Sequence, residues 1–219
     1  MPKVLRIDFV SDVVCPWCAV GLASLEQALR RLQGEVEAEL HFQPFELDPD
    51  MPAEGMAVAD NLRRKYGMTD GQLAENQERI RARGAELGFT FDFNARSRTW
   101  NTFDAHRLLH WAGTQGDGRQ LALKRALLVA NFSEGLDISN RSVLAEVAGG
   151  AGLDASHARA VLEGSDFRED VRAAQKFFRE LGISSVPAVI IERRHLLSGG
   201  QPPEVFEQAL RQVAAGGGD

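Results

Sequence analysis

Apolar and polar residues near the start of the chain follow a strand pattern, then a helix pattern, then a strand pattern again. Residues 4–10 (VLRIDFV) are rich in β-branched side chains, which is typical of a strand. Residues 15–32 have an apolar position at every third or fourth place, namely Cys18, Leu22, Leu25, Leu29 and Leu32. Gly34 ends this helix, and residues 38–47 (AELHFQPFEL) return to a strand pattern. The order predicts a right-handed βαβ unit with parallel strands.

The pattern from about residue 50 to residue 181 is almost entirely helical. Successive segments have the helical period, the first beginning near Val58 and the last spanning residues 166–181. Residues 89–93 (FTFDF) are the one short extended piece predicted among them. Four phenylalanines at helical spacing are expected to pack inward, and these are Phe132, Phe167, Phe177 and Phe178.

The last part of the chain returns to strands. Residues 186–192 (VPAVIIE) and 195–200 (HLLSGG) form a hairpin pattern around the polar pair Arg193-Arg194. Pro202-Pro203 then opens a closing helix that ends in a glycine-rich tail. The SGGQP stretch between them is interpreted as a turn.

These elements predict an α/β protein of the order βαβ…ββα, with a large helical domain inserted between the two halves. The predicted boundaries are 1–50 for the first half, 51–181 for the helical domain and 182–219 for the second half. The middle block is too long to be a loop, because connections within compact domains rarely exceed about 15 residues.

Composition narrows the function classes. The net charge of −6 and the pI near 5.5 disfavour an electrostatic grip on nucleic acid or on an anionic membrane. The first residues, MPKVLRIDFV, show no apolar leader, and no apolar run approaches the roughly 20 residues of a spanning helix. We therefore expect a cytoplasmic protein with no nucleic-acid or membrane partner.

Both cysteines of the chain lie in one short motif, Cys15-Pro16-Trp17-Cys18. Cys15 is expected at the N-terminus of the first helix, where unpaired N–H groups stabilise a thiolate and lower the thiol pKa. Pro16 suits the first helical turn, where no N–H donor is needed. Cys18, one turn later and facing inward, could attack a mixed disulfide at Cys15. The motif therefore favours a redox pair.

Three other interpretations of the motif are weaker. A zinc site needs two further ligands, and His106 and His110 are the paired histidines that could supply them. Two buried filler cysteines are a second alternative. A structural disulfide would close only a trivial loop and would be unusual in the cytoplasm. We expect no metal.

A proline far along the chain supports the redox interpretation. Val186-Pro187 precedes the run AVII, and proline is tolerated at the start of a strand. A plain trans proline would suit that position. With a CxxC motif after the first strand, a cis Val186-Pro187 bond beside Cys15 is the better expectation, because cis bonds are essentially confined to X-Pro.

CPWC after the first strand, PFEL after the second, NTFDAHRL in the insert, VPAVII and SGGQP follow in order along nearly the whole chain. Together they resemble the DsbA-like thioredoxin-fold family, and most closely its cytoplasmic FrnE-like branch. That branch also includes 2-hydroxychromene-2-carboxylate isomerases and kappa-class glutathione transferases. The resemblance implies a thioredoxin fold with an inserted helical domain, thiol–disulfide oxidoreductase activity, a cis proline at Pro187, Cys15 attacking and Cys18 resolving.

The sequence also departs from its relatives. The isomerases and kappa-class transferases usually carry serine at the position of Cys15 and bind glutathione, so retention of both cysteines favours redox chemistry. Some FrnE-like proteins have a second cysteine pair, which this chain lacks. Trp17 stands where DsbA has histidine, so a strongly oxidising potential is not expected to carry over.

Other residues are candidates for supporting roles. Asp8, within the first strand, and Asp12, in the turn before Cys15, could accept the proton of the resolving cysteine. A wet strand face for Asp8 and an ordinary turn role for Asp12 are the alternatives. Trp17 is expected to be an exposed aromatic contact for substrate, flanked in the substrate groove by Pro16 and Val186. Trp100 and Trp111 are expected in the core.

The NTFDAHRL stretch has two interpretations. Asn101 or Thr102 could simply cap the helix, with Asp104 favouring the helix dipole and Leu108 facing inward. The family resemblance instead implies that Asn101, Thr102 and His106 edge the groove above Cys15.

The predicted function is thiol–disulfide exchange with a disulfide- or thiol-containing protein or a small-molecule thiol. No resident cofactor is expected, although the resemblance allows glutathione as a co-substrate. One alternative is a glutathione-dependent isomerase or transferase acting on a small aromatic or polyketide-like molecule. A second is a non-catalytic binding module on a thioredoxin scaffold. The oligomeric state stays open.

Overall fold

A computed structural model describes residues 2–116 and 118–216 of the protein. Met1, Asp117 and residues 217–219, which include the end of the predicted glycine-rich tail, lie outside the described residues. The strands are β1 (Lys3–Ser11), β2 (Val36–Pro44), β3 (Met56–Ala57), β4 (Arg98–Thr99), β5 (Ala188–Ile191) and β6 (His195–Ser198). The helices are α1 (Pro16–Arg31), α2 (Val58–Tyr66), α3 (Asp70–Glu86), α4 (Phe103–Gly113), α5 (Arg119–Phe132), α6 (Arg141–Gly150), α7 (Ala155–Glu163), α8 (Arg168–Glu180) and α9 (Pro203–Ala214).

The main sheet has the strand order β2-β1-β5-β6. β1 and β2 are parallel and are joined by α1, as the βαβ pattern predicts. β5 runs antiparallel to β1 and forms a hairpin with β6. Glu192 and Arg193 turn this hairpin with φ values of 53° and 56°. The predicted fold class, an α/β thioredoxin-type fold with an inserted helical block, is confirmed.

β1 lies in the middle of the sheet, and its two faces bury different residues. Leu5, Ile7 and Phe9 point to one face and pack in a core with α1 and α9. Val10 belongs to a second, smaller core on the other face, together with Phe178 of α8. The two faces follow from the two-residue period of side chains along a strand. Phe177 does not pack inward as expected; its side chain is 53% exposed.

Helices α2 to α8 lie between β2 and β5, and the predicted boundaries at residues 50 and 181 fall in loops. Apolar residues of α4 to α7 form their own core around Trp111, which is 1% exposed as predicted. Leu128 and Phe132 of α5 instead pack in the same core as the main sheet. The inserted helices therefore share a core with the sheet.

The segment 89–93 is irregular, and the pairing strands β3 and β4 lie elsewhere in the insert. Its phenylalanines form an aromatic cluster, in which the ring centroids of Phe91 and Phe132 are 5.3 Å apart. Burial of these rings, and not strand pairing, orders the segment. Among the described residues, no helix combines the length and apolar character needed to cross a membrane.

Candidate active site

Cys15 is the N-cap residue of α1, at the point where the chain leaves β1 and its short loop. Its backbone is extended (φ −87°, ψ 112°), and Pro16 occupies the first helical turn. The first N–H groups of a helix have no intrahelical acceptor, so they are available to an anion at this position. The Cys15 side chain is almost buried, and Cys18 is fully buried behind it.

The two thiols are free and have opposite pKa shifts. The pKa of Cys15 is lowered from 9.0, chiefly by a hydrogen bond from the Cys18 thiol and also by the backbone N–H groups of Cys18 and Trp17. These donors outweigh burial and the negative charge of Asp12, which both act in the opposite direction. The pKa of Cys18 is raised well above 9.0, first by burial and then by its partner Cys15. Of the two thiols, Cys15 is therefore the one whose ionised form the surroundings favour.

The segment before β5 lies against Cys15. The Val186-Pro187 peptide bond is cis, and the Cys15 Sγ atom lies 3.6 Å from the Val186 carbonyl oxygen, to which the protonated thiol donates. Gly21 of α1 provides room for this contact, because a Cβ atom at that position would lie 3.0 Å from Cγ of Pro187. The geometry brings the cysteine motif and the proline, far apart in sequence, to one place.

Asp12 is fully buried directly before the cysteine motif. One carboxylate oxygen lies 3.3 Å from Nε2 of His106, and the other accepts the backbone N–H of Leu47 at 2.8 Å. Burial alone would raise the Asp12 pKa, but the contacts with His106 and Leu47 together lower it. Asp12 is the predicted acidic residue that lies beside the cysteines.

Asp8 does not lie beside the cysteines. It is on the opposite face of β1 from the α1 core, where its carboxylate accepts hydrogen bonds from Arg6 and from Gln43. The structure therefore does not place Asp8 where it could take the proton of Cys18. The alternation of side chains along β1 explains the difference, because Asp8 and the core residue Phe9 point to opposite faces.

A cavity of about 510 Å³ opens above Cys15, between the sheet side of the molecule and helices α2 and α3. Pro16, Trp17, Val186 and Thr102 are among its walls, as predicted. Apolar residues of the insert provide much of the remaining surface, and they include Leu62, Tyr66, Phe93 and Trp100. Trp100 lines the cavity and also packs, partly buried, against the core around Trp111, where the sequence predicts it.

Three predicted groove residues differ from expectation. Trp17, expected to be exposed, is partly buried against the main core, and the guanidinium of Arg79 lies 5.5 Å from its ring centroid. His106 is buried behind Asp12 and is not a wall of the cavity. Asn101 is not a wall either; its side chain accepts the Phe103 N–H and donates to the Met51 carbonyl. The N-cap residue of α4 is Thr102, which makes no side-chain cap hydrogen bond. Asn101, one residue earlier, holds the start of the helix instead.

Three buried polar residues of the insert also support the site, although sequence reasoning did not single them out. The Asn131 amide donates to the Val13 carbonyl at 3.1 Å, and the Arg96 guanidinium donates to the Val14 carbonyl at 3.2 Å. Burial lowers the pKa of Arg96 to about 10. Lys124, on the same face of α5 as Asn131, is fully buried. Lys124 and Asn131 are seven residues apart in an otherwise apolar stripe of α5. These two polar residues were the sequence signal that could have identified buried polar groups near the site.

Metal ligands do not converge in the part of the chain that the structure describes: residues 2–116 and 118–216 contain no cluster of three or more His, Cys, Asp and Glu side chains suited to a metal ion. The two histidines that the sequence offers as zinc ligands, His106 and His110, contact other side chains. His106 contacts Asp12, and the ring of His110 lies 5.3 Å from that of Phe167.

Comparison with known proteins places these features in context. The model of the DSBA-like thioredoxin domain family matches residues 6–211. The crystal structure of a probable DsbA oxidoreductase from Streptomyces coelicolor is 36% identical, with a TM-score of 0.87 over 98% of this chain and 92% of that chain. An uncharacterized protein of Bacillus subtilis (strain 168) is 28% identical over 207 residues, 94% of this chain and 96% of the relative. The cytosolic disulfide reductase DsbM from Pseudomonas aeruginosa, solved with GSH, is 22% identical and similar in fold, with a TM-score of 0.65 over 96% of this chain and 100% of that chain.

Proposed function

Because the chain belongs to the DSBA-like thioredoxin domain family, we propose that it is a thiol–disulfide oxidoreductase in which Cys15 attacks and Cys18 resolves. The observation that carries the proposal is the unequal pair: a thiol with a lowered pKa at the mouth of a cavity, backed by a buried thiol with a raised pKa. Only the thiolate attacks a disulfide, so this asymmetry supports the proposed order of the two steps.

In the first step the Cys15 thiolate attacks one sulfur of a substrate disulfide. The substrate S–S bond breaks, a mixed disulfide forms at Cys15, and the leaving thiolate takes up a proton. Cys18 then loses its proton and attacks Cys15 Sγ, which releases the second substrate thiol and leaves a Cys15–Cys18 disulfide. Two electrons pass from the cysteine pair to the substrate, and the reverse sequence oxidises a dithiol.

The surroundings of Cys15 suggest how a substrate binds. Thiol–disulfide oxidoreductases need room for an attacking sulfur in line with the S–S bond, and the cavity provides it next to Cys15. The Val186 carbonyl, close to Cys15, offers an acceptor to a peptide N–H of the substrate. We propose a disulfide- or thiol-containing protein segment or a small-molecule thiol as substrate, glutathione as the co-substrate that recycles the pair, and the cytoplasm as the compartment.

Reduction of insulin disulfides by dithiothreitol tests the proposal. Wild type is expected to accelerate the reaction, and Cys15→Ser is expected to show no acceleration. Cys18→Ser should retain the first step only, so mass spectrometry should detect a mixed disulfide of Cys15 with glutathione added as glutathione disulfide. Steady turnover by Cys18→Ser would contradict the two-cysteine cycle and favour isomerase-type chemistry. Inactivity of wild type, with an ordinary Cys15 reactivity toward iodoacetamide, would favour a binding module.

A further inference from the structure

Lys124 lies in the middle of α5 with its side chain fully buried. Its Nζ atom has no hydrogen-bond partner among the described residues, and it lies 5.9 Å from the ring centroid of Phe42. An ammonium group that is removed from water without a partner costs free energy, so buried lysines are rare unless a nearby charge stabilises them.

The charges that act on Lys124 belong to the active site. Burial lowers the Lys124 pKa, and the negative charges of Cys18, Asp12 and Cys15 counter this effect in that order. In return, Lys124 lowers the pKa of Cys18 and of Asp12. The ammonium form of Lys124 is thus the form that negative charges on Cys18, Asp12 and Cys15 stabilise.

The position of Lys124 follows from the helix that carries it. Lys124 and Asn131 are seven residues apart, so they lie on one face of α5. Asn131 holds the Val13 carbonyl, which places that face directly behind the Asp12–Cys15 segment. The charge therefore comes from the inserted helices and not from the sheet.

We propose that Lys124 is a positioning residue that acts through its positive charge on Cys18, favouring the ionised Cys18 sulfur in the resolving step. The inference rests on the proposed function. In the resolving step Cys18 loses its proton, its sulfur attacks Cys15 Sγ, the mixed disulfide breaks, and the leaving thiolate is protonated. The charge that Lys124 opposes is the one that develops on Cys18 before the attack, in a buried place where Asp12 adds a second negative charge.

Lys124→Met removes this charge and keeps the length and apolar stem of the side chain. The matched control is Leu127→Met, which alters a fully buried residue of the same helix and leaves all charges in place. Two quantities are measured: the rate of glutathione release from a preformed Cys15–glutathione mixed disulfide across pH, and the equilibrium of the cysteine pair with glutathione. Alkylation of Cys15 by iodoacetamide reports the first step separately.

We expect Lys124→Met to slow release about tenfold at neutral pH, the order of effect of one buried charge, and to move the midpoint of the release rate to higher pH. At neutral pH we expect the equilibrium with glutathione to change little, because Cys18 stays protonated in the reduced pair. Leu127→Met should match wild type in both quantities. The groups that face this centre from the neighbouring elements are Asp12, Cys15, Cys18, His106 and Arg96, so the same profiles are recorded for Asp12→Asn to identify its contribution.

Release rates for Lys124→Met that equal those of wild type would overturn the inference, as would equal losses in Leu127→Met. If Lys124→Met does not fold, Lys124→Arg and Lys124→Gln replace it: the arginine variant should release at nearly the wild-type rate and the glutamine variant should not, and equal rates would overturn the inference. The two hypotheses fail differently. An inactive wild type contradicts the proposed function, whereas an active wild type with an unchanged Lys124→Met contradicts only the role of Lys124.

Discussion

The Sγ atom of Cys15 lies 3.6 Å from the carbonyl oxygen of Val186, a residue 171 positions further along the chain. The contact forms because β5, which follows Val186, pairs with β1, which precedes Cys15. The whole helical insert lies between the two residues in sequence. The sheet therefore brings the Cys15 segment and the Val186 segment together from the two ends of the chain, and the insert covers them.

The reactivity of the two cysteines should differ strongly. Iodoacetamide should modify Cys15 with a pH midpoint below 9.0, and Cys18 should stay unmodified until the protein is unfolded. Cys18→Ala removes the thiol donor that contributes most to the lowered Cys15 pKa, so it should raise the midpoint for Cys15, whereas Cys18→Ser keeps a donor and should raise it less. Mass spectrometry after timed alkylation measures each site. Equal midpoints in the two variants would show that the Cys18 donor is unimportant.

Asp12 should make the stability of the protein depend on pH in acid. Its folded-state pKa lies below the unfolded value near 3.8, so its ionised form stabilises the folded state above that value. This contribution is lost as the pH falls through the folded-state pKa. The difference in unfolding free energy between wild type and Asp12→Asn should therefore be constant near neutral pH and shrink below about pH 3.8. Urea denaturation at a series of pH values measures it, and a difference that does not vary with pH would contradict this assignment.

Replacement of Trp17 should change the potential of the pair. Trp17 donates only its backbone N–H to the Cys15 sulfur, whereas an imidazolium at this position would add a positive charge beside the thiolate. Trp17→His should therefore lower the Cys15 pKa and shift the equilibrium with glutathione about tenfold toward the dithiol, or about 30 mV. Trp17→Phe is the control, because it keeps a flat apolar ring without charge. If both variants have the same potential, the charge at this position does not tune the pair.

Two glycines of α3 should respond oppositely to alanine. A Cβ atom at Gly84 would lie 2.5 Å from the Phe91 ring and 2.7 Å from the Phe89 carbonyl oxygen, so the helix or the aromatic segment must move. Gly84→Ala should cost about 1–3 kcal/mol of unfolding free energy through overpacking. A Cβ atom at Gly71 would have no neighbouring atom within 4 Å. Gly71→Ala should therefore stabilise the protein by about 0.5–1 kcal/mol. Urea unfolding of both variants measures the pair, and a stabilised Gly84→Ala would show that the aromatic segment yields easily.

Sequence alone predicted the secondary structure around the site because local interactions decide it. The strand β1, the CPWC motif at the start of α1, and the hairpin before α9 each have a short-range signal: a two-residue alternation, a proline in the first helical turn, and a polar pair between apolar runs. The position of Cys15 at the helix N-terminus, and hence the direction of its pKa shift, could be argued from these signals. The role proposed for Cys18 follows from the same spacing.

Tertiary packing decided which distant polar groups surround the cysteines. His106 lies behind Asp12, and Asp8 faces the other side of the sheet. The charge of Cys18 acts on Lys124 because α5 packs against β2 and holds the loop after β1 through Asn131. The position of Asp8 follows from side-chain alternation along β1. The positions of His106 and Lys124 depend on the angle and height at which a helix meets the sheet, which is fixed by burial of apolar surface along the whole element. That angle cannot be predicted from any single residue in the sequence. The sequence by itself thus determined the CPWC cysteine pair and the helix that carries it. Only the tertiary structure determined which charged groups act on the two cysteines.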